Sequence, residues 1–169
     1  METINHLACL TNMRILFLFF IMTFFLASPA YADFHYGLVA YNRDDYETAF
    51  REFQKAAENG NLKAYNALGM MYLSGKGVYQ DSTKGLDWYT RAAEKGHAAS
   101  QFNLGQIYSA GYGGVKVDNN SALIWFIIAE SNGNKFAKLN REFLTKKMTS
   151  PQIEKAQEMA KKWMAKHQN

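Results

Sequence analysis

The chain has 169 residues, 48% hydrophobic and 20% charged, with 2 Pro and 1 Cys, so disordered, collagen-like and disulfide-stapled classes are excluded and one compact domain is expected. Residues 33–134 carry 9 Lys+Arg against 11 Asp+Glu, whereas residues 135–169 carry 9 against 3. The formal charge of +4 therefore belongs to the C-terminal end, and the acidic body is a poor match for nucleic acid.

Ile15 to Leu26 form a 12-residue apolar run interrupted only by Thr23. A spanning helix needs ~20 such residues. This run follows Arg14 and ends in Ala27-Ser28-Pro29-Ala30-Tyr31-Ala32, the small-x-small pattern of a signal-peptidase site. Residues 1–32 are accordingly expected to be an export signal cleaved after Ala32, with Met13 as an alternative start; an uncleaved anchor is the competing reading. The expected location is periplasmic or secreted. Cleavage removes Cys9 and leaves 137 residues without cysteine, so packing alone must hold the domain together.

Two later segments, Ala64 to Gly96 and Ser100 to Gly133, align over their full length. Leu68-Gly69, Tyr72 and Gly75 recur 36 residues on as Leu104-Gly105, Tyr108 and Gly111; Asp81, Trp88, Ala92 and Gly96 recur 37 on as Asp118, Trp125, Ala129 and Gly133. An extra loop glycine accounts for the step. Residues 36–60 match the second half of this unit through Ala49, Phe53, Ala56-Ala57 and Gly60, with a shorter connection. The division is thus a degenerate unit at 33–61, full units at 62–97 and 98–134, and C-terminal capping helices at 135–169. Each unit shows helical spacing twice. Gly69 and Gly105 remove a side chain in mid-helix and let a neighbouring helix approach, while Asp81 and Asp118 are placed to cap the second helices.

Those residues, in that order, resemble the Sel-one-like repeat family, a branch of the tetratricopeptide-like α-solenoids. The likeness covers most of residues 33–137. It is specific in the two full units, including Gly75-Lys76-Gly77-Val78 and Gly113-Gly114-Val115, and the first unit is closer to a plain tetratricopeptide repeat. In the third unit Ile128-Ala129 replaces the alanine pair Ala92-Ala93, a change expected to alter local packing. The resemblance implies an all-α, right-handed solenoid of antiparallel helix pairs, and an exported bacterial adaptor or scaffold that binds proteins or peptides.

A fourth unit begins at Lys135, with Ala137 where Ala64 and Ser100 stand, but no Leu-Gly follows and a capping helix is expected. Thr149-Ser150-Pro151-Gln152 offers a hydroxyl cap, an early Pro and a capping-box Gln to a last helix. There Ile153, Ala156, Met159-Ala160, Trp163-Met164 and His167 recur at helical spacing, with Lys155, Glu158, Lys162 and Lys166 opposite. This helix is expected to close the open end of the solenoid. A second reading lays it on anionic lipid or peptidoglycan through its lysines.

Catalytic motifs are scarce. His35, His97 and His167 are far apart without H-E-x-x-H, and His97, after Gly96, reads as an exposed turn residue. The Gly69 to Lys76 stretch departs from a phosphate loop in spacing and has Gly77 where Ser or Thr is required. Asp44-Asp45, Asp81 and Asp87 read as helix-start residues rather than paired acids. No catalytic, metal or cofactor site and no small-molecule substrate is expected. The rival class is a β-lactamase-like hydrolase, a described activity of a cysteine-rich branch of the family; its paired cysteines are missing here, as is Ser-x-x-Lys. The aromatics Tyr72, Trp88, Tyr108 and Trp125 read as core.

The remaining surface is the concave face, lined by the first helix of each unit. Residues opposite the consensus side, spaced by four, are Phe34, Leu38 and Asn42; Asn66, Met70 and Ser74; Phe102, Gln106 and Ala110. Phe34, Met70 and Phe102 are apolar where repeat packing does not require it. They are candidate anchors for a peptide, with packing on a neighbouring helix as the alternative.

Overall fold

A computed structural model describes residues 29–167, with side chains from residue 33 onward. The expected export signal lies outside the described residues as far as residue 28, together with Cys9 and Met13. Among the described residues there are eight α-helices and no strand. They are α1 (Pro29–Asn42), α2 (Tyr46–Glu58), α3 (Leu62–Ser74), α4 (Ser82–Glu94), α5 (Ala98–Ala110), α6 (Asn119–Ser131), α7 (Ala137–Thr145) and α8 (Ser150–His167). A short 3-10 turn, Tyr112–Gly114, precedes α6.

The helices form an α-solenoid. Packing is most extensive within the hairpins α1/α2, α3/α4 and α5/α6, and α2 on α3 and α4 on α5 join one hairpin to the next. Both α7 and α8 pack on α6.

Local sequence dictates where each helix starts and stops. All three second helices begin at an aspartate whose carboxylate accepts a backbone N–H: Asp45 from Thr48 at 3.1 Å, Asp81 from Lys84 at 3.0 Å, and Asp118 from Asn120 at 3.0 Å. These bonds hold the Asp81 carboxyl below its ordinary range. At Asp118 the Ser121 hydroxyl is the larger cause. Asp87 departs from the expected capping role, because it lies inside α4, where it pairs with Arg91 at 2.8 Å. Each second helix closes with a glycine followed by an N–H that reaches back five residues: Asn61 to Ala56, His97 to Ala92, Asn134 to Ala129.

Within a hairpin the mid-helix glycines have the expected role. A Cβ on Gly69 would stand 2.6 Å from the Tyr89 ring, and one on Gly105 would stand 2.5 Å from the Phe126 ring. Gly37 faces Phe53 in the same way, so the degenerate unit keeps the device without the Leu-Gly pair. The core forms successive clusters that bridge one hairpin to the next: Phe53 with Leu68 and Met71, Leu73 and Tyr89 with Leu104, then Leu123 and Phe126 with Leu144 and Ala156. Tyr72, Trp88, Tyr108 and Trp125 are half-buried at its edges, with Trp125 edge-on to Trp163 of α8 at 5.4 Å.

At the C-terminal end the Gln152 side chain accepts the Thr149 N–H at 2.9 Å, one arm of the expected capping box, while the Thr149 hydroxyl donates to the same oxygen. Ala156 and Ala160 are buried, and Ile153, Trp163 and Met164 are half-buried. Met159, expected on the packed side, is exposed. Two alanines leave room for α8 to lie close on α6, and Met159 falls beyond the narrow strip that this contact covers.

Candidate functional site

The first helices α1, α3 and α5, continued by α7, stand in a row. Its side chains come from equivalent positions 32, 36 and 37 residues apart in successive steps, so repeat register brings residues distant in sequence onto one surface.

The candidate residues fall into three groups. Leu38, Asn42 and Gln106 are exposed. Asn66, Met70 and Ser74 are half-buried; Asn66 accepts hydrogen bonds from the Ser100 hydroxyl at 3.1 Å and Asn103 at 2.8 Å, and the Ser74 hydroxyl turns back to the Met70 carbonyl at 2.9 Å. Phe34 and Phe102 differ from the expectation of free anchors. The Phe34 ring lies 5.4 Å from that of Phe53, and Phe102 lies 5.8 Å from Phe126, so both lean into the core. The cause is the partner glycine: Gly37 and Gly105 draw the large rings of Phe53 and Phe126 close, within reach of the neighbouring aromatic.

Two depressions open along the row. One, of about 400 Å³, is walled by Phe34, His35 and Leu38 of α1, Leu62 and Lys63 of α3, and His97. The other, of about 410 Å³, lies between Met70, Tyr89, Asn103, Gln106 and Tyr112, with Ala110 at its edge. The Asn66 hydrogen bonds to Ser100 and Asn103 link α3 to α5.

His97 is not the exposed turn residue expected from sequence. It is half-buried at the N-cap of α5, with Nδ1 2.8 Å from the Ser100 hydroxyl. Burial first, and the Lys63 charge second, hold its imidazole below the ordinary 6.5. A depressed folded value keeps the ring neutral while the unfolded chain takes up a proton, so its stabilising contribution is complete above 6.5 and is lost as pH falls through the folded value. The fall in melting temperature on acidification from about pH 7 to about pH 5 should therefore be smaller in His97→Asn than in the unaltered protein. Equal falls would disprove the linkage.

Sequence reasoning missed two kinds of residue. Gln101 and Ser100 are fully buried. Gln101 donates to the Ala93 carbonyl at 2.9 Å and accepts from Asn132 at 2.9 Å, a polar clamp between α4, α5 and the end of α6. Leu139 and Phe143 of α7 continue the row, since Asn66, Phe102 and Leu139 share one register position and Met70, Gln106 and Phe143 another. Extending the 37-residue step past Ala137 would have found them. With Phe136, 70% exposed, they are a more open apolar part of the row than Leu38, at 71% and 60% exposure against its 37%.

Among the described residues no cluster of three or more His, Cys, Asp or Glu could hold a metal ion, and no helix is long and apolar enough to cross a membrane. Ser100, the hydroxyl beside His97, is wholly enclosed, so the pair does not offer an accessible nucleophile.

Comparison with known proteins places this geometry. The Sel1 repeat pattern matches residues 30–61, 62–97 and 98–134. A protective antigen of uropathogenic Escherichia coli with an SLR fold superposes with a TM-score of 0.74 at 34% identity, over 82% of this chain and 30% of that one. A Sel1 repeat protein from Oxalobacter formigenes gives 0.56 at 35% identity, over 67% and 87%. Among curated proteins, Protein sel-1 homolog 2 of Homo sapiens is 38% identical over 93 residues, 55% of this chain. The ERAD-associated E3 ubiquitin-protein ligase component HRD3A of Arabidopsis thaliana is 33% identical over 78 residues, 46% of this chain. The aligned parts amount to 13% and 12% of those two relatives.

Proposed function

Since the chain belongs to the Sel1 repeat family, whose repeats commonly mediate contacts between proteins, we propose that it is a non-catalytic adaptor or scaffold that holds a peptide or protein segment along its row of first helices. Its site of action in this reading is the periplasm or the extracellular space, reached through the signal in residues 1–32. The observation that carries the reading is one column of the row. Leu38, Met70, Gln106 and Phe143 take the same register position in successive first helices, and three of the four are apolar. Leu38 and Phe143 are exposed, and Met70 borders a depression. Met70 also packs on the core cluster of Leu73, Tyr89 and Leu104, but at the exposed Leu38 and Phe143 interior packing does not demand an apolar residue, whereas a bound segment does.

A photo-crosslinking residue at Met70 should, on illumination in cells, give a discrete protein adduct that is missing when the same probe replaces the exposed Lys84 of α4. Labelling from both positions alike, or no protein adduct from Met70, would reject the adaptor reading and turn attention to the basic C-terminal helix.

A further inference from the structure

We propose that the C-terminal end of the row is a docking surface for an acidic segment of a partner protein, which sets apolar side chains against Phe136, Leu139 and Phe143. The inference rests on the adaptor reading and names the chemistry of what is held.

Phe136, Leu139 and Phe143 are spaced three and four apart, so they make one stripe at α7, turned away from the side on which Ala137 and Leu144 are buried by about a third of a turn. Three large apolar side chains, each more than half exposed and side by side, are an uncommon surface for a folded protein to leave in water. The chain's own C-terminal helix does not cover them, because α8 packs on α6. Glu142 shows the same opening: it stands in the register position of Gly69 and Gly105 and is exposed, so no second helix closes on α7 there.

Charge selects the occupant. On the helical wheel Lys147 borders the stripe on one side and Lys135 and Lys146 on the other, with Glu142 the one acid between residues 135 and 147. The Lys147 ammonium sits 4.3 Å from the centre of the Phe143 ring. A second copy of this chain docking through the same face would bring like charges together. A planar anionic bilayer meets a different difficulty. The stripe continues inward along the row, with the Phe102 ring 6.3 Å from that of Phe136, and a flat surface does not follow it there. An acidic segment with apolar anchors satisfies both the lysines and the rings.

The test measures fluorescence anisotropy of labelled peptides with the purified protein. The probes are an acidic amphipathic peptide with Leu and Phe at helical spacing among Glu and Asp, and its counterpart with Lys at each acidic position. The acidic peptide should bind at least ~10-fold more tightly than the basic one. Leu139→Ser with Phe143→Ser should weaken it by ~10-fold or more without moving the melting temperature, since both residues are exposed. Reversing Lys135, Lys146 and Lys147 to Glu should transfer the preference to the basic peptide.

Equal binding of the two peptides, no binding of the acidic one, or no effect of the serine pair overturns the proposal. So does binding to phosphatidylglycerol vesicles in place of the peptide, or a dimer in sedimentation that the serine pair dissolves. A Met70 adduct that survives the serine pair would leave the adaptor reading standing and remove this one alone.

Discussion

Phe126→Ala should destabilise the protein by about 3–5 kcal/mol and lower its melting temperature by roughly 10–20 °C. Phe126 is 1% exposed, and its ring fills the space left by Gly105 across the α5/α6 hairpin. Phe102 packs on the same ring, and Leu123, Leu144 and Ala156 complete the cluster. The side chain therefore joins the third hairpin to both C-terminal helices. Its removal opens a cavity that helix-on-helix contacts close only in part. Gly105 cannot relax into the void, having no side chain to swing, and α7 and α8 both rest on α6. Thermal unfolding followed by circular dichroism checks the figure. A loss below about 1 kcal/mol would mean that the cluster collapses freely and that Phe126 is not its keystone.

Gly77→Ala should be nearly as damaging, at about 3 kcal/mol or more, for a backbone reason. Gly77 has φ +71°, where alanine costs roughly 1–2 kcal/mol. Its Cβ would also stand 2.2 Å from the Tyr46 carbonyl oxygen, an atom that cannot rotate aside because it belongs to the first turn of α2. The loop would have to lift away from the preceding unit. That would also strain the neighbouring latch, in which Lys76 donates to the Tyr46 hydroxyl at 3.1 Å with its ammonium 4.6 Å from that ring. Gly60→Ala separates the two causes: Gly60 has φ +80° with nothing within 4 Å of a built Cβ, so it should show the conformational cost alone. Urea unfolding of both variants gives the comparison. Equal losses would refute the steric part of the argument.

Gly77 also illustrates a general feature of this chain. The loop of each full unit seats on the unit before it, Gly77 on Tyr46 and Gly113 on Leu73, with the Ser82 hydroxyl donating to the Gly113 carbonyl. Stability in such an array rests on contacts between neighbouring units. Loop glycines that read in the sequence as turn residues are in the fold contact points between units.

Much of the architecture was legible because it depends on residues at fixed offsets along one stretch of backbone. Asp81 and Asp118 announce helix starts, since a carboxylate reaches only the N–H groups two or three residues ahead. Gly96 and Gly133 announce helix ends by the same locality. Their recurrence at 36 and 37 residues exposes the hairpin unit, and stacking of hairpins follows because neither helix buries its apolar side alone. The candidate row was half legible. Repeat register identified Leu38, Met70 and Gln106, and the same register would have reached Leu139 and Phe143 had it been carried through the unit that lacks Leu-Gly.

Sequence alone thus determined the helices, the aspartate caps at Asp81 and Asp118 and the repeating hairpin, all of them consequences of bonds between near neighbours in the chain. Only the tertiary structure decided which stripes are core and which are surface. Phe102 and Phe143 occupy comparable sides of their helices, yet Phe102 packs on Phe126 whereas Phe143 lies open, because α8 settled on α6 and left that side of α7 uncovered. Burial is a property of the neighbour that arrives, and no residue carries its neighbour in its own name.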